Sequence, residues 1–344
     1  SFPGTDPREP VRIMAGETPL LPCVPELPGR GAGADMVGRA LALLSDIAPE
    51  FAGQTSTVGW RLAGRLTDGS SRDMARANSW LREDLDVSEE GYGDAEAVKF
   101  AVAGPWTLAA SVELINGHRV LRDPGAIRDL VAAYTESVVE LVGRLRRRFP
   151  HAGVILQIDE PALPAVLAGG VPTISGLDSY RSVSVEVARS GLSAAVAAAH
   201  GMDATVVLHC CARPAPIGLL RATGADALSL DLVGGAASGG VQDEEELGML
   251  LESDCGLMAG VVAPQFSGAG SRVAGGGVES ETLDVVGSVR RLLALLDRLG
   301  IALPTVLPRL AVSHPCGLAG VSPDAARAAV RALAEVAATI QREV

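Results

Sequence analysis

Val206-Val207-Leu208-His209-Cys210-Cys211 is a short apolar run that closes on an imidazole and two thiols. A run of that length reads as a buried strand, with its reactive residues at the C-terminal end. Similar runs recur at residues 20–27, 98–103, 153–158, 225–230, 256–262 and 310–314, and the opening run itself spans 204–209. Each is mostly apolar and ends in polar, Gly or Pro residues. Pro22 and Pro25 interrupt the first, which weakens its claim to a ladder. Helical stretches lie between the runs, the clearest at 35–47, 126–148, 182–199, 244–252, 281–299 and 323–344. Ser322-Pro323 opens the last one as a capping serine followed by a first-turn proline. Alternation of strand and helix makes a parallel sheet, because parallel neighbours need a crossover between them.

Seven strands are visible. The chain opens at Ser1-Phe2-Pro3-Gly4 without a methionine, and an eighth strand clipped just before Ser1 would close a (β/α)8 TIM barrel. Barrels run as one domain at roughly 250 residues or more, so residues 1–344 are expected to form a single α/β domain. A doubly wound open sheet is the competitor. Gly29-Arg30-Gly31-Ala32-Gly33 has loose glycine spacing and follows Pro-rich sequence, so it reads as a βα loop and not as a dinucleotide fingerprint. The glycine-dense stretch 268–277 reads as a mobile loop over the site.

Composition agrees with a barrel. Hydrophobic residues make up 48% of the chain but aromatics only 3%, so the core is built from Ala, Val, Leu and Ile, which fill buried parallel strands. The formal charge of −12 opposes binding to nucleic acid or to an anionic membrane surface. No apolar run is long enough to span a bilayer; the best, 301–312, contains Pro304, Pro308 and Arg309. With no visible signal peptide, a cytoplasmic enzyme is expected. Five cysteines in no disulfide pattern point to a reducing compartment and to metal chemistry.

Barrel enzymes collect their reactive groups at the C-terminal ends of the strands. His209 and Cys211 stand there, Asp231 ends the next strand, and Cys316 follows the last one. One imidazole, two thiolates and a carboxylate form a borderline-soft set suited to Zn²⁺. The bland alternative is a surface aspartate and two inert cysteines.

These residues, taken in order along the chain, resemble the catalytic half of the cobalamin-independent methionine synthase family. His209-x-Cys211, the carboxylate after the following strand and Cys316-Gly317-Leu318 are similar to its zinc ligands. Leu156-Gln157-Ile158-Asp159-Glu160-Pro161-Ala162-Leu163 is similar to its central motif, Gly104-Pro105-Trp106-Thr107-Leu108 to its Gly-Pro-x-Thr segment, and Ser1-Phe2-Pro3 to the loop after its first strand. The resemblance implies a zinc-dependent methyltransferase acting on homocysteine in methionine biosynthesis. His209, Cys211, Asp231 and Cys316 would hold zinc, and Asp159 would take the substrate's amino group. Ser1 would lie among the substrate-binding residues. Glu160 would join Asp159 or fix the loop, Trp106 would wall the methyl donor or pack the core, and His314 would act beside Cys316.

Four departures bear on the donor. Asp231 stands where the family has glutamate. No histidine occurs near the end of the run 256–262, where one is associated with proton delivery to folate. Arg30 takes the neighbourhood of a substrate-binding glutamate, which also leaves an acidic thiol open. The chain has no length for the second barrel of the folate-using enzymes. The resemblance to short single-barrel relatives therefore implies a methyl-corrinoid or corrinoid-protein donor, because a folate amine needs protonation to leave. Three readings compete with this one: alkyl transfer to a different small thiol, a metal-free porphyrinogen-decarboxylase-like barrel, and a binding protein in which the metal is only a staple.

Overall fold

The computed structural model describes residues 1–63, 72–233, 242–263 and 284–343. The glycine-dense stretch 268–277 and the first residues of the helix expected at 281–299 lie outside the described residues. The strands are β1 Gly53–Ser56, β2 Gly59–Leu62, β3 Ala97–Ala103, β4 Val112–Glu113, β5 Gly153–Asp159, β6 Ala204–Cys210, β7 Ala227–Asp231, β8 Gly256–Gly260 and β9 Leu310–Ser313. Six of them pair in the order β3-β5-β6-β7-β8-β9, all parallel, as the crossover argument requires. The sheet curls with its helices into the wall of a TIM barrel. β1, β2 and β4 form a small separate sheet, with β1–β2 antiparallel and β2–β4 parallel.

The run 20–27 is shorter in the ladder than its apolar length suggests. Only Cys23 bridges to the sheet, opposite Lys99 of β3. The Lys99 N–H donates to the Pro22 carbonyl and the Val24 N–H donates to the Lys99 carbonyl, each at 2.9 Å. Pro22 and Pro25 lack the N–H groups that would extend the pairing. At the far side, the Phe2 N–H donates to Glu26 at 2.8 Å and the Leu318 N–H donates to Ser1 at 2.9 Å. Ser1 and Phe2 thus tie the segment around Glu26 to the loop beyond β9.

The helices are α1 Arg8–Glu17, α2 Met36–Ile47, α3 Arg72–Gly91, α4 Pro105–Ser111, α5 Pro124–Arg148 and α6 Leu163–Ala168, followed by α7 Val185–His200, α8 Ile217–Arg221, α9 Glu244–Glu252, α10 Val285–Arg298, α11 Leu303–Val306 and α12 Pro323–Arg342. Side chains cap their starts where the sequence offers Asp or Ser. Asp35 accepts from Val37 and Gly38, Asp123 from Gly125 and Ala126, Ser184 from Val187, Asp243 from Glu245 and Glu246, and Ser322 from Ala325. Each such cap contributes about 1 kcal/mol. The core under these helices is aliphatic, with Leu41, Leu44, Leu81, Leu85, Leu141 and Leu156 fully buried. Among the described residues, no helix is long and apolar enough to cross a membrane.

Candidate functional site

Strand ends supply the reactive groups. His209 is the penultimate residue of β6, and its Nδ1 lies 3.1 Å from both the carbonyl and the hydroxyl of Ser229. A carbonyl only accepts, so Nδ1 carries the proton and Nε2 keeps its lone pair. Metal-bound histidines are prepared in this way. Burial holds the imidazole down to about 4, so it is neutral at physiological pH.

Cys211 follows β6 directly and Cys316 lies in the loop after β9, yet their thiols are close enough to shift one another's titration. The neighbouring Cys316 sulfur and burial push Cys211 up. The Cys211 thiol beside it, helped by the Gly317 N–H and opposed by burial, brings Cys316 down to about 6. His209 and Cys316 also act on each other electrostatically. One imidazole nitrogen and two sulfurs are therefore gathered at one mouth, a donor set that fits zinc. The fit is one of donor chemistry. Among the described residues, no three such side chains close tightly enough to form a metal cage as they stand.

Asp231, expected as the fourth ligand, is engaged elsewhere. Its Oδ1 accepts from the Val233 N–H at 2.9 Å and its Oδ2 stands 3.2 Å from Nε of Arg213. One methylene shorter than glutamate, it stays with its own loop and with Arg213.

Asp159 ends β5, and its partner in the sheet register is His209. Its Oδ1 accepts from Gln157 Nε2 at 2.7 Å, while Gln157 Oε1 accepts from Lys99 Nζ at 2.8 Å. Lysine only donates, so it sets which way the Gln157 amide points. Burial pushes Asp159 up to about 7, and Glu26 adds to the rise. Glu26 is the residue missed in the sequence. It stands just past the Cys23 bridge, and its Oε1 is buried without a hydrogen-bond partner among the described residues. The available signal was a lone carboxylate closing an apolar run.

Three side chains singled out in the sequence are engaged by the fold itself, and for Trp106 and Glu160 this favours the structural one of the two readings left open. The Arg30 side chain is bound to Asp84 at 2.9 Å, Glu83 at 3.1 Å and the Thr5 carbonyl at 2.7 Å. Trp106 is fully buried, with its Nε1 donating to the Ala188 carbonyl at 3.0 Å, so it packs the core and offers no wall to a donor. Glu160 turns into the start of α4. Its carboxylate accepts from the Trp106 N–H at 2.9 Å and from the N–H and hydroxyl of Thr107, both at 2.7 Å. Those bonds oppose the burial that pushes Glu160 up to about 7. Gly104 is required there, because a Cβ would collide with the Glu160 carboxylate.

His314 follows β9. Its Nδ1 donates to the Val262 carbonyl at 2.8 Å, and its Nε2 is buried with no partner among the described residues. Val262 lies just beyond β8, where the sequence lacks the expected histidine. An imidazole thus reaches that strand end from the neighbouring strand. Ser1 lies against the same loop, with its hydroxyl where a side chain at Gly317 would have to go.

Fold and side chains together define a parallel βα-barrel protein whose reactive groups stand at the C-terminal strand ends. The chain belongs to the cobalamin-independent synthase family, whose catalytic domain matches residues 1–263. That match ends before His314 and Cys316. A B12-independent methionine synthase from Shewanella sp. W3-18-1, solved in complex with selenomethionine, is similar at 16% identity with a TM-score of 0.49. The likeness covers 83% of this chain and 70% of that one, and is too loose to carry an argument. No curated protein matches the chain.

Proposed function

We propose that the chain methylates the sulfur of an amino-acid thiol, homocysteine in the first instance, with zinc held by His209, Cys211 and Cys316. One relation carries this reading: Asp159 and His209 are paired residues on neighbouring strands, so an ammonium site and a metal site adjoin. Family membership supports an enzyme of this kind. With Asp231 engaged by Arg213, the fourth metal position falls to the incoming thiol. Bound zinc would supply the Lewis acidity that removes the thiol proton, and its two thiolate ligands would keep electron density on the substrate sulfur.

The chain's own residues do the rest. Asp159 and Glu26 hold the ammonium group and so fix where the sulfur points. The sulfur forms its bond to the methyl carbon as the carbon–donor bond breaks, and the electron pair leaves with the donor. Nε2 of His314, which carries no proton while Nδ1 donates to Val262, would have to take up a proton, such as the one the thiol loses, before passing it to the leaving group.

The family's description as cobalamin-independent lends no support to a corrinoid donor. His314, beside Val262, stands at the strand end where the sequence showed no histidine, which favours a donor that needs a proton. Zinc-loaded protein should be given homocysteine with methyltetrahydrofolate, and separately with methylcobalamin. Methionine from either supports the acceptor half of the reading, and the productive donor is thereby assigned. Methylation of a different thiol, with none of homocysteine, would replace the acceptor. No methylation of any thiol would overturn the reading.

A further inference from the structure

Behind Glu26 lies a buried ion cluster that neither the metal site nor the sheet requires. Asp84 on α3 is 2% exposed; its Oδ2 accepts from Nη1 of Arg39 at 2.7 Å and its Oδ1 from Nη1 of Arg30 at 2.9 Å. Arg39 on α2 is 3% exposed. Its Nη1 also donates to the Pro25 carbonyl at 3.1 Å, and its guanidinium lies over the Phe100 ring, 5.3 Å from the centroid. Its Nε stands 3.6 Å from Oε1 of Glu26. Arg30 reaches the Thr5 carbonyl, and the Phe2 N–H reaches the Glu26 carbonyl. Through two arginines, one aspartate therefore fixes the backbone on both sides of Glu26 and the loop that follows Ser1.

Buried ion clusters contribute little net stability compared with apolar packing of the same volume, because desolvating the ions offsets their attraction. Fixed geometry is what this one provides. A separation of 3.6 Å is an ion pair, too long for a hydrogen bond. Arg39 thus holds the Glu26 carboxylate in place by charge, without a hydrogen bond to Oε1. An ammonium group brings three donors.

We propose that Arg39, locked by Asp84, is a positioning residue that aims Glu26 at the substrate's α-ammonium group, so that Glu26 and Asp159 together select amino-acid thiols over thiols lacking the amino group. This rests on the thiol-acceptor reading above. The test is calorimetric binding of homocysteine and of 4-mercaptobutyrate, its des-amino analogue, to zinc-loaded full chain. Wild type, Asp84→Asn and Arg39→Lys are compared, with folding checked by circular dichroism. Wild type should prefer homocysteine. Both variants should lose roughly tenfold in homocysteine affinity, about 1.4 kcal/mol, with mercaptobutyrate binding unchanged, so that the preference collapses. If Asp84→Asn does not fold, Arg39→Lys, which keeps the charge and loses the fork, decides alone. A preference retained in a folded variant, or equal losses for both thiols, would overturn the proposal and leave the acceptor reading standing. So would a wild type that binds both thiols equally. A wild type that binds neither thiol would remove the acceptor reading, and this proposal with it.

Discussion

Cys211 and Cys316 come from loops more than a hundred residues apart, and the proximity of their thiols is the relation on which the metal reading turns. Each supplies one soft ligand out of three, so losing either should weaken zinc binding severely. In Cys211→Ser and Cys316→Ser, zinc remaining after dialysis against a mild chelator should fall from about one per chain to a small fraction. Full retention in either variant would remove that sulfur from the metal. Asp159 is expected to act on the substrate and not on the metal. Asp159→Asn should keep its zinc yet bind homocysteine roughly thirtyfold more weakly, in line with about 2 kcal/mol for a charged hydrogen bond. An unchanged affinity would place the ammonium elsewhere.

At the scale of elements, Glu160 joins the end of β5 to the start of α4. Its carboxylate takes the N–H groups of Trp106 and Thr107, which the first turn of α4 leaves without helical partners. Glu160→Gln turns an amide toward those donors and should cost about 2 kcal/mol, read as a lowered melting temperature with zinc binding retained. A melting temperature equal to wild type would deny the cap. Such loop closures were invisible in the sequence, where Glu160 reads equally well as a substrate ligand. What was legible was whatever follows local pattern. The apolar runs at 153–158, 204–209, 225–230 and 310–314 became strands with ends within a residue or two, and Ser322 capped the helix it precedes. The run 20–27 was overread, because its prolines reduce it to a bridge at Cys23. The clustering of Glu26, Arg39 and Asp84 could not be read, since no periodicity links a carboxylate after one strand to side chains on two later helices.

For the whole molecule, the buried titratable groups at the strand ends oppose one another. His209 and His314 sit at about 4 in the folded chain, below the ordinary histidine value of 6.5. Between those values the unfolded chain holds more protons, so this pair makes stability rise with pH. Asp159 and Glu160 sit at about 7, above 3.8 and 4.5. There the folded chain holds more protons, and this pair makes stability fall with pH. The two effects overlap from about 4.5 to 6.5, so metal-free wild type should be nearly flat across that window in urea titrations. Asp159→Asn removes one opposing group, and its stability should then rise by roughly 1.4 kcal/mol per pH unit; a flat profile in the variant would deny the compensation. The central claim is that His209, Cys211 and Cys316 hold a metal with one position left for a thiol. It is tested most directly by the visible spectrum of cobalt-substituted protein titrated with homocysteine. The account predicts one cobalt per chain and a sulfur-to-metal band that grows to saturation as homocysteine is added. Failure to bind cobalt, or a spectrum that no thiol changes, would contradict it.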